Sequence, residues 1–239
     1  MTPERQQKLL NTLLRRQPDL TLIADRIHKP RNLAALVRNA DAVGIHEVHA
    51  VAPQEGYPHF RGTTQGSDRW VKVRHHSTFE DAAAAVREKG MKIYAAHFSD
   101  SAIDYREVDF TEPCAILMGT EKYGVSDEAS ALADQHIVIP MMGMVSSLNV
   151  STAAGIILVE AQHQRLKAGM YEESRLPAEE IAFTLFEWSN AKVAQFCRDR
   201  NLAYPPYDEM GEMIDSVSWN KAVQAGTAER FGWSAADNE

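Results

Sequence analysis

Residues 137–162 read IVIPMMGMVSSLNVSTAAGIILVEAQ, and the parsing of this stretch decides the fold. Ile137, Val138 and Ile139 make a short β-branched run of the kind that buried strands carry, and Pro140 closes it. Residues 141–145 hold one glycine and no charge. Ser147 or Asn149 can then cap a helix through its side-chain oxygen. That helix runs from about 150 to 167, with Gly169 as its stop. Its first turns, Ser151, Thr152, Ala153, Ala154 and Gly155, are small enough for another backbone or a ligand to come close. An uncharged loop entering a capped helix offers backbone N–H and C=O groups to a polar ligand. An ordinary strand–loop–helix unit with a tight helix crossing accounts for the same residues.

Upstream, residues 113–118 (PCAILM) are a buried strand running into Gly119, Thr120, Glu121, Lys122, Tyr123 and Gly124. The two glycines allow unusual backbone angles and close approach, and Ser126 can cap a helix over 127–133. A plain strand-to-helix turn explains the glycines but not the glutamate at its tip. Residues 91–96, 70–75, 46–51 and 20–24 read as strands, and Thr78 caps a helix ending near Gly90. Residues 99–109 are a polar connection. In HKPRNLAALVRNADAVG, residues 28–44, Pro30 suits a first helical turn, and Leu33, Leu36, Val37 and Ala40 form the apolar face. Asn32 lies in the first turn. Arg38 follows six residues later, close to two turns at about 3.6 residues per turn. Taken singly, Asn32 reads as a cap and Arg38 as a surface ion-pair partner. Residues 53–69 are a Gly- and Pro-rich loop, whose Arg61, Thr63 and Thr64 could meet a phosphate.

The β–α alternation up to about residue 164 implies an α/β fold, a mostly parallel sheet with helices on both faces. Strands ending at Ala96, Met118–Gly119 and Ile139–Pro140 would open at one edge, and ligands of open α/β sheets bind beyond the carboxyl ends of strands. Three separate segments therefore nominate one crevice.

Composition narrows the classes. The chain has 239 residues, 44% hydrophobic, enough for one sizeable α/β domain with extensions. No run of about 18 apolar residues exists, so no membrane span is expected. Two cysteines, Cys114 and Cys197, one in a strand pattern and one in a helix pattern, suggest a reduced, cytoplasmic protein. The net charge of −8 is uneven: +5 over residues 1–40, −6 over 41–170 and −7 over 171–239. A basic front end can still grip phosphates. There Leu9, Leu10, Leu13 and Leu14 line one side of a helix over 4–16, and Arg5, Lys8, Arg15 and Arg16 line the others. That helix is either a phosphate-binding arm or a solvated face. Beyond Gly169 two short helices, 177–188 and 190–200, precede Pro205-Pro206, and the tail past 208 reads as weakly structured. No dinucleotide fingerprint, Walker A sequence or G-x-S-x-G elbow is present. His46/His49 and His75/His76 lack further ligands, so no metal is expected.

NLAALVR at 32–38, LMGTEKYG at 117–124 and IPMMGMVSSLNVSTAAGI at 139–156, in that order, resemble the three signature motifs of the SpoU branch of the SPOUT RNA methyltransferases. The resemblance spans about residues 5–172. It implies a C-terminal trefoil knot in the sheet domain, S-adenosylmethionine as cofactor and a homodimer with the active site near the subunit interface. The implied reaction is methyl transfer to the ribose 2′-hydroxyl of a tRNA guanosine, position 18 in the D-loop. Ribosomal RNA as substrate, or a non-catalytic RNA-binding module, are the alternatives. Carried over residue by residue, Arg38 is the central catalytic group, and Asn32 orients it or the ribose. Glu121 anchors Arg38 or the loops around it, and Ser147 and Asn149 hydrogen-bond the site and brace the cofactor loop. Ala96, Met118, Gly119, Ile139, Met141 and Leu148 line the cofactor site, and Arg15, Arg16 and Arg26 contact tRNA. The implied organisation is a basic RNA-contacting helix over 1–18, a methyltransferase domain over 19–170 and a helical extension over 171–239.

Overall fold

A computed structural model describes residues 1–52, 69–120 and 123–233. Glu121, and the loop residues Arg61, Thr63 and Thr64, lie outside the described residues. The chain forms two compact units, Gln17–Glu172 and Met1–Arg16 with Glu173–Glu239.

In the terminal unit, α1 (Pro3–Leu13) buries Leu9 and Leu13. α6 (Ala178–Ser189) buries Leu185, Phe186 and Trp188, and α7 (Ala191–Asp199) follows it. Segments from the two ends of the sequence thus share one unit. The tail read as weakly structured carries a further helix, α8 (Ser216–Ala225). Its signals are local: Asp215 accepts from the Ser218 N–H at 2.9 Å, and Gly226 ends the helix at φ 70°.

The larger unit holds β1 (Leu20–Asp25), α2 (Pro30–Ala42), β2 (Glu47–Val51), β3 (Lys72–His76), α3 (Phe79–Glu88), β4 (Lys92–Ala96), β5 (Ile103–Asp104), β6 (Cys114–Met118), α4 (Asp127–Ala131), β7 (Gln135–Val138) and α5 (Val150–Lys167). The sheet order is β3-β2-β1-β6-β4-β7-β5, and every pairing is parallel. β5 is a two-residue edge strand inside the stretch expected to be a polar connection.

Alternation along the strands sorts the core into two layers. Leu22, Ala24, Ile116 and Met118 face α2 and α5, whereas Ile23, Leu117, Ile93 and Ala95 face α3 and α4. The sheet is therefore covered on both faces, as its continuous apolar strands require. At its amino edge α5 is tied down by the fully buried Arg165. That guanidinium donates to Asp19 Oδ1 (2.6 Å), Gln17 Oε1 (3.0 Å) and the carbonyls of Phe110, Asp19 and Glu112. With every acceptor supplied by chain just ahead of β1 and β6, the start of α5 is left for the opposite edge.

Candidate active site

At that opposite edge the register sets neighbouring strand ends side by side. Ala24 pairs with Met118, Ala95 with Leu117, and Ala96 with Ile137. Ala96 and Ile139 pack half-buried against the same core as the buried Met118. Ala96 and Met118 therefore end neighbouring strands, Ile139 directly follows the next strand, β7, and Gly119 directly follows Met118.

Past β6 the chain folds back on itself. Thr120 and Gly124 exchange backbone hydrogen bonds at 2.7 and 2.9 Å, and the Tyr123 N–H reaches Thr120 Oγ1 at 3.0 Å. Gly124 lies at φ 71°. A Cβ on Gly119 would collide with the Gly124 carbonyl and the Val125 nitrogen, so only glycine fits there. His97, just past β4, stands against Gly124 and packs edge-on to His136 at 5.2 Å. Burial, and behind it the charge of His136, hold the His97 imidazole below its ordinary range. The sequence reading did not single out His97; its one signal was its place directly after Ala96.

After Ile139 the chain stays open. Among the described residues, no backbone group of 140–148 hydrogen-bonds another backbone group. Met141 and Leu148 are half-buried, and Ser147 is exposed. Met142 and Met144 are almost wholly exposed. The loop ends at Asn149, the N-cap of α5, whose Oδ1 accepts from the Ser151 N–H at 2.9 Å. Of the two candidate caps, Asn149 is the one used.

α2 meets this helix start through two asparagines. Asn149 Nδ2 donates to Asn32 Oδ1 at 3.5 Å, and Asn39 Nδ2 donates to the Ser151 carbonyl at 2.7 Å. Asn39 escaped the sequence reading, yet it lies seven residues beyond Asn32, nearly two full turns and hence the same side of the helix. Arg38, one residue earlier, is exposed. Asn32, Asn149 and the start of α5 are thus brought together, while Arg38, the residue before Asn39, is exposed on α2.

The expected RNA-contacting arginines divide. Arg15 is exposed. Arg16 is fully buried, its guanidinium 5.6 Å over the Trp188 ring, so it does not present a surface charge to RNA. Arg26 donates to Glu128 Oε2 at 2.6 Å. Among the described residues no cluster of His, Cys, Asp or Glu could hold a metal ion, and no helix is long and apolar enough to cross a membrane.

A parallel α/β sheet with a glycine turn, an open loop and a capped helix at its carboxyl edge defines an α/β protein with a candidate ligand site at that edge. Comparison with known proteins narrows the class. The SpoU rRNA Methylase family matches residues 19–159, and the C-terminal region of SpoU rRNA methylases matches 163–216. The chain belongs to this family. It is 48% identical over 94% of its length to the Escherichia coli K12 tRNA (guanosine(18)-2′-O)-methyltransferase, covering 99% of that protein. Its structure resembles the crystal structure of the Aquifex aeolicus TrmH/SpoU tRNA modifying enzyme, with a TM-score of 0.73, 40% identity and coverage of 80% and 97% of the two chains. It also resembles the SpoU methyltransferase AviRb from Streptomyces viridochromogenes in complex with the cofactor AdoMet, with a TM-score of 0.55, 30% identity and coverage of 63% and 62%.

Proposed function

We propose that this protein transfers a methyl group from S-adenosylmethionine to the ribose 2′-hydroxyl of guanosine 18 in tRNA. The observation that carries the reading is the nearly full-length match to an enzyme of that specificity, supported by the Met118–Gly119 strand end beside Ala96 and by the contact of Asn32 with Asn149. The cofactor supplies a methyl carbon made electrophilic by a cationic sulfur. The residues present fit it: residues 140–148 carry no charge and keep their backbone groups unpaired by other backbone, and Met118 and Ile139 add apolar walls. Ala96, Met118, Gly119, Ile139, Met141 and Leu148 hold the cofactor in this reading.

Arg38 serves the ribose. A guanidinium stays protonated in proteins, so it acts as a clamp on phosphate and on the oxygen gaining negative charge, not as a base. The hydroxyl proton leaves to a substrate phosphate or to water. In this reading Asn32 orients Arg38 or the ribose, Glu121 anchors Arg38 or the loops around it, and Ser147 and Asn149 hydrogen-bond the site and brace the cofactor loop. Holding the reacting oxygen in line with the methyl carbon supplies much of the acceleration.

Residues 19–170 form the methyltransferase domain, and 1–18 with 171–239 extend it for tRNA contact through Arg15. Arg26 contributes only if tRNA displaces Glu128. The trefoil knot implied by the family is supported by β7 entering between β4 and β5, strands laid earlier in the chain. A homodimer is supported by the apolar outer face of α5, where Val159 and Leu166 are more than half exposed. Beside Val159, Tyr105, Thr152, Gly155 and Ile156 line a shallow hollow of 440 Å³. A cytoplasmic location is supported by two free, buried cysteines, whose thiols burial pushes up to about 12 and about 11, and by the tRNA substrate.

The family's own description favours ribosomal RNA as the second reading. Mass-spectrometric mapping of the methylated nucleotide, after incubating total RNA with enzyme and S-adenosylmethionine, decides between them. Methylation at guanosine 18 of tRNA is expected. Methylation confined to ribosomal RNA overturns the substrate, and no methylation of either overturns the activity.

A further inference from the structure

Asp25 ends β1 with its side chain 1% exposed. Alternation places it on the same side as Ile23, toward the layer that contains α4. A carboxylate there is costly unless it has partners. Its Oδ2 accepts from the Ser126 backbone N–H at 2.9 Å. Its Oδ1 makes no hydrogen bond and lies 3.9 Å from the Nε of Arg26. Arg26 adopts φ 51°, a left-handed conformation that non-glycine residues rarely hold. From there its guanidinium reaches Glu128 in the first turn of α4. Two consecutive residues at the end of β1, one buried and one strained, thus grip the N-terminus of α4.

What they enclose is the turn that follows β6. Its near end is pinned to β1 by the ladder pairing Ala24 with Met118. Its far end, at Ser126, is pinned to β1 by Asp25 alone among the described side chains. Between the two ends, Gly119 and Gly124 are packed so closely that no Cβ fits on Gly119. Gly119, pressed against Gly124 and Val125, therefore takes its position from these two anchors.

We propose that Asp25 is a positioning residue for the cofactor, acting through the Ser126 N–H to hold the Gly119–Gly124 turn in its binding geometry. This rests on the reading above that Met118 and Gly119 line an S-adenosylmethionine site. It reassigns Arg26 from RNA contact to the same anchorage.

The test is calorimetric titration of the full chain with S-adenosylhomocysteine, alongside melting temperature and steady-state kinetics. Asp25→Ala is expected to weaken binding by about tenfold, the size of one lost charge-assisted hydrogen bond. The KM for S-adenosylmethionine should rise similarly, with the KM for tRNA unchanged. Ser126→Pro, at a residue whose φ of −63° already suits proline, removes the N–H from the other side together with the hydroxyl that caps α4, and should reproduce the loss, whereas Ser126→Ala, which loses only the cap, should keep most of the affinity. Asp25→Asn, which keeps an acceptor for that N–H, should recover most of the affinity. Thr78→Ala, which deletes the distant cap of α3, should lower the melting temperature and leave affinity alone. Wild-type affinity in Asp25→Ala or in Ser126→Pro overturns the proposal, and Ser126→Pro decides if Asp25→Ala does not fold. Absence of binding by the wild-type chain instead overturns the cofactor reading itself.

Discussion

The carboxamide of Asn39 donates to the carbonyl of Ser151 at 2.7 Å, joining the middle of α2 to the first turn of α5. With the Asn149–Asn32 contact at the first turn of α2, it stitches the two helices at two points on one side of α2. Arg38 is adjacent in sequence to the second stitch, so its direction depends on this crossing.

Asn39→Ala should therefore cost about 1 kcal/mol of stability by urea unfolding, the net worth of one such hydrogen bond. Asn39→Asp should cost more, because a carboxylate would face the Ser151 carbonyl with no proton to share. Turnover should fall in both variants while tRNA binding persists.

Arg38→Ala should lower kcat by about 10²–10³-fold, the range for removing one charge-stabilising donor at a reacting oxygen. Titration with S-adenosylhomocysteine should show little change in affinity, since Arg38 stands on α2 and not on the strand ends. Arg38→Lys should recover little, because an ammonium lacks the planar fork. Near-wild-type turnover in Arg38→Ala would remove it from the mechanism.

Arg165 is buried with five hydrogen bonds to four residues. Arg165→Ala should cost about 3–5 kcal/mol in chemical denaturation, because it leaves Asp19 and three carbonyls short of a donor. Arg165→Lys should recover only a minor part, since three donors on a flexible stem cannot meet all five contacts.

Stability should also fall with acid. His49 and His76 meet at 2.8 Å between β2 and β3, with the Glu47 carboxylate 3.3 Å from His49 and bonded to Lys89 at 3.0 Å. Burial, and then the charges of His49 and Arg74, push His76 from 6.5 down to about 4, while Asp81 and Glu47 pull weakly the other way. Between those two values the unfolded chain takes a proton that the fold refuses, so stability drops as pH falls through the window, by about 1–3 kcal/mol. Burial by itself would raise the Glu47 carboxyl, but the His49 hydrogen bond and the Lys89 ammonium outweigh it and hold it well below the usual range. Its contribution is lost in the same direction at still lower pH. Melting curves across this range should show the decline, and His76→Gln should flatten its upper part.

Much of this was legible along the chain. The continuous apolar strands, the helix over 150–167 and the Ser126 cap are decided by residues a few positions apart, and the cap of that helix narrows to Ser147 or Asn149. So is the clustering of strand ends, once β–α alternation makes the sheet parallel. The motif segments could be located for the same reason, and one described pair among them, Asn32 and Asn149, meets. Arg16 went the other way: its burial over Trp188 joins residues 172 positions apart, and no local pattern distinguishes it from the exposed Arg15.

The sequence by itself determined most of the elements, the Thr78 and Ser126 caps and the family, because hydrophobic period, turn chemistry and motif order are local quantities, while β5 and α8 escaped it. Only the tertiary structure decided the order of the strands, the grip of Asp25 on Ser126 and the stitch of Asn39 to Ser151. Those contacts cross 101 and 112 positions of chain. A hydrogen bond about 3 Å long is visible only once the fold has closed that distance.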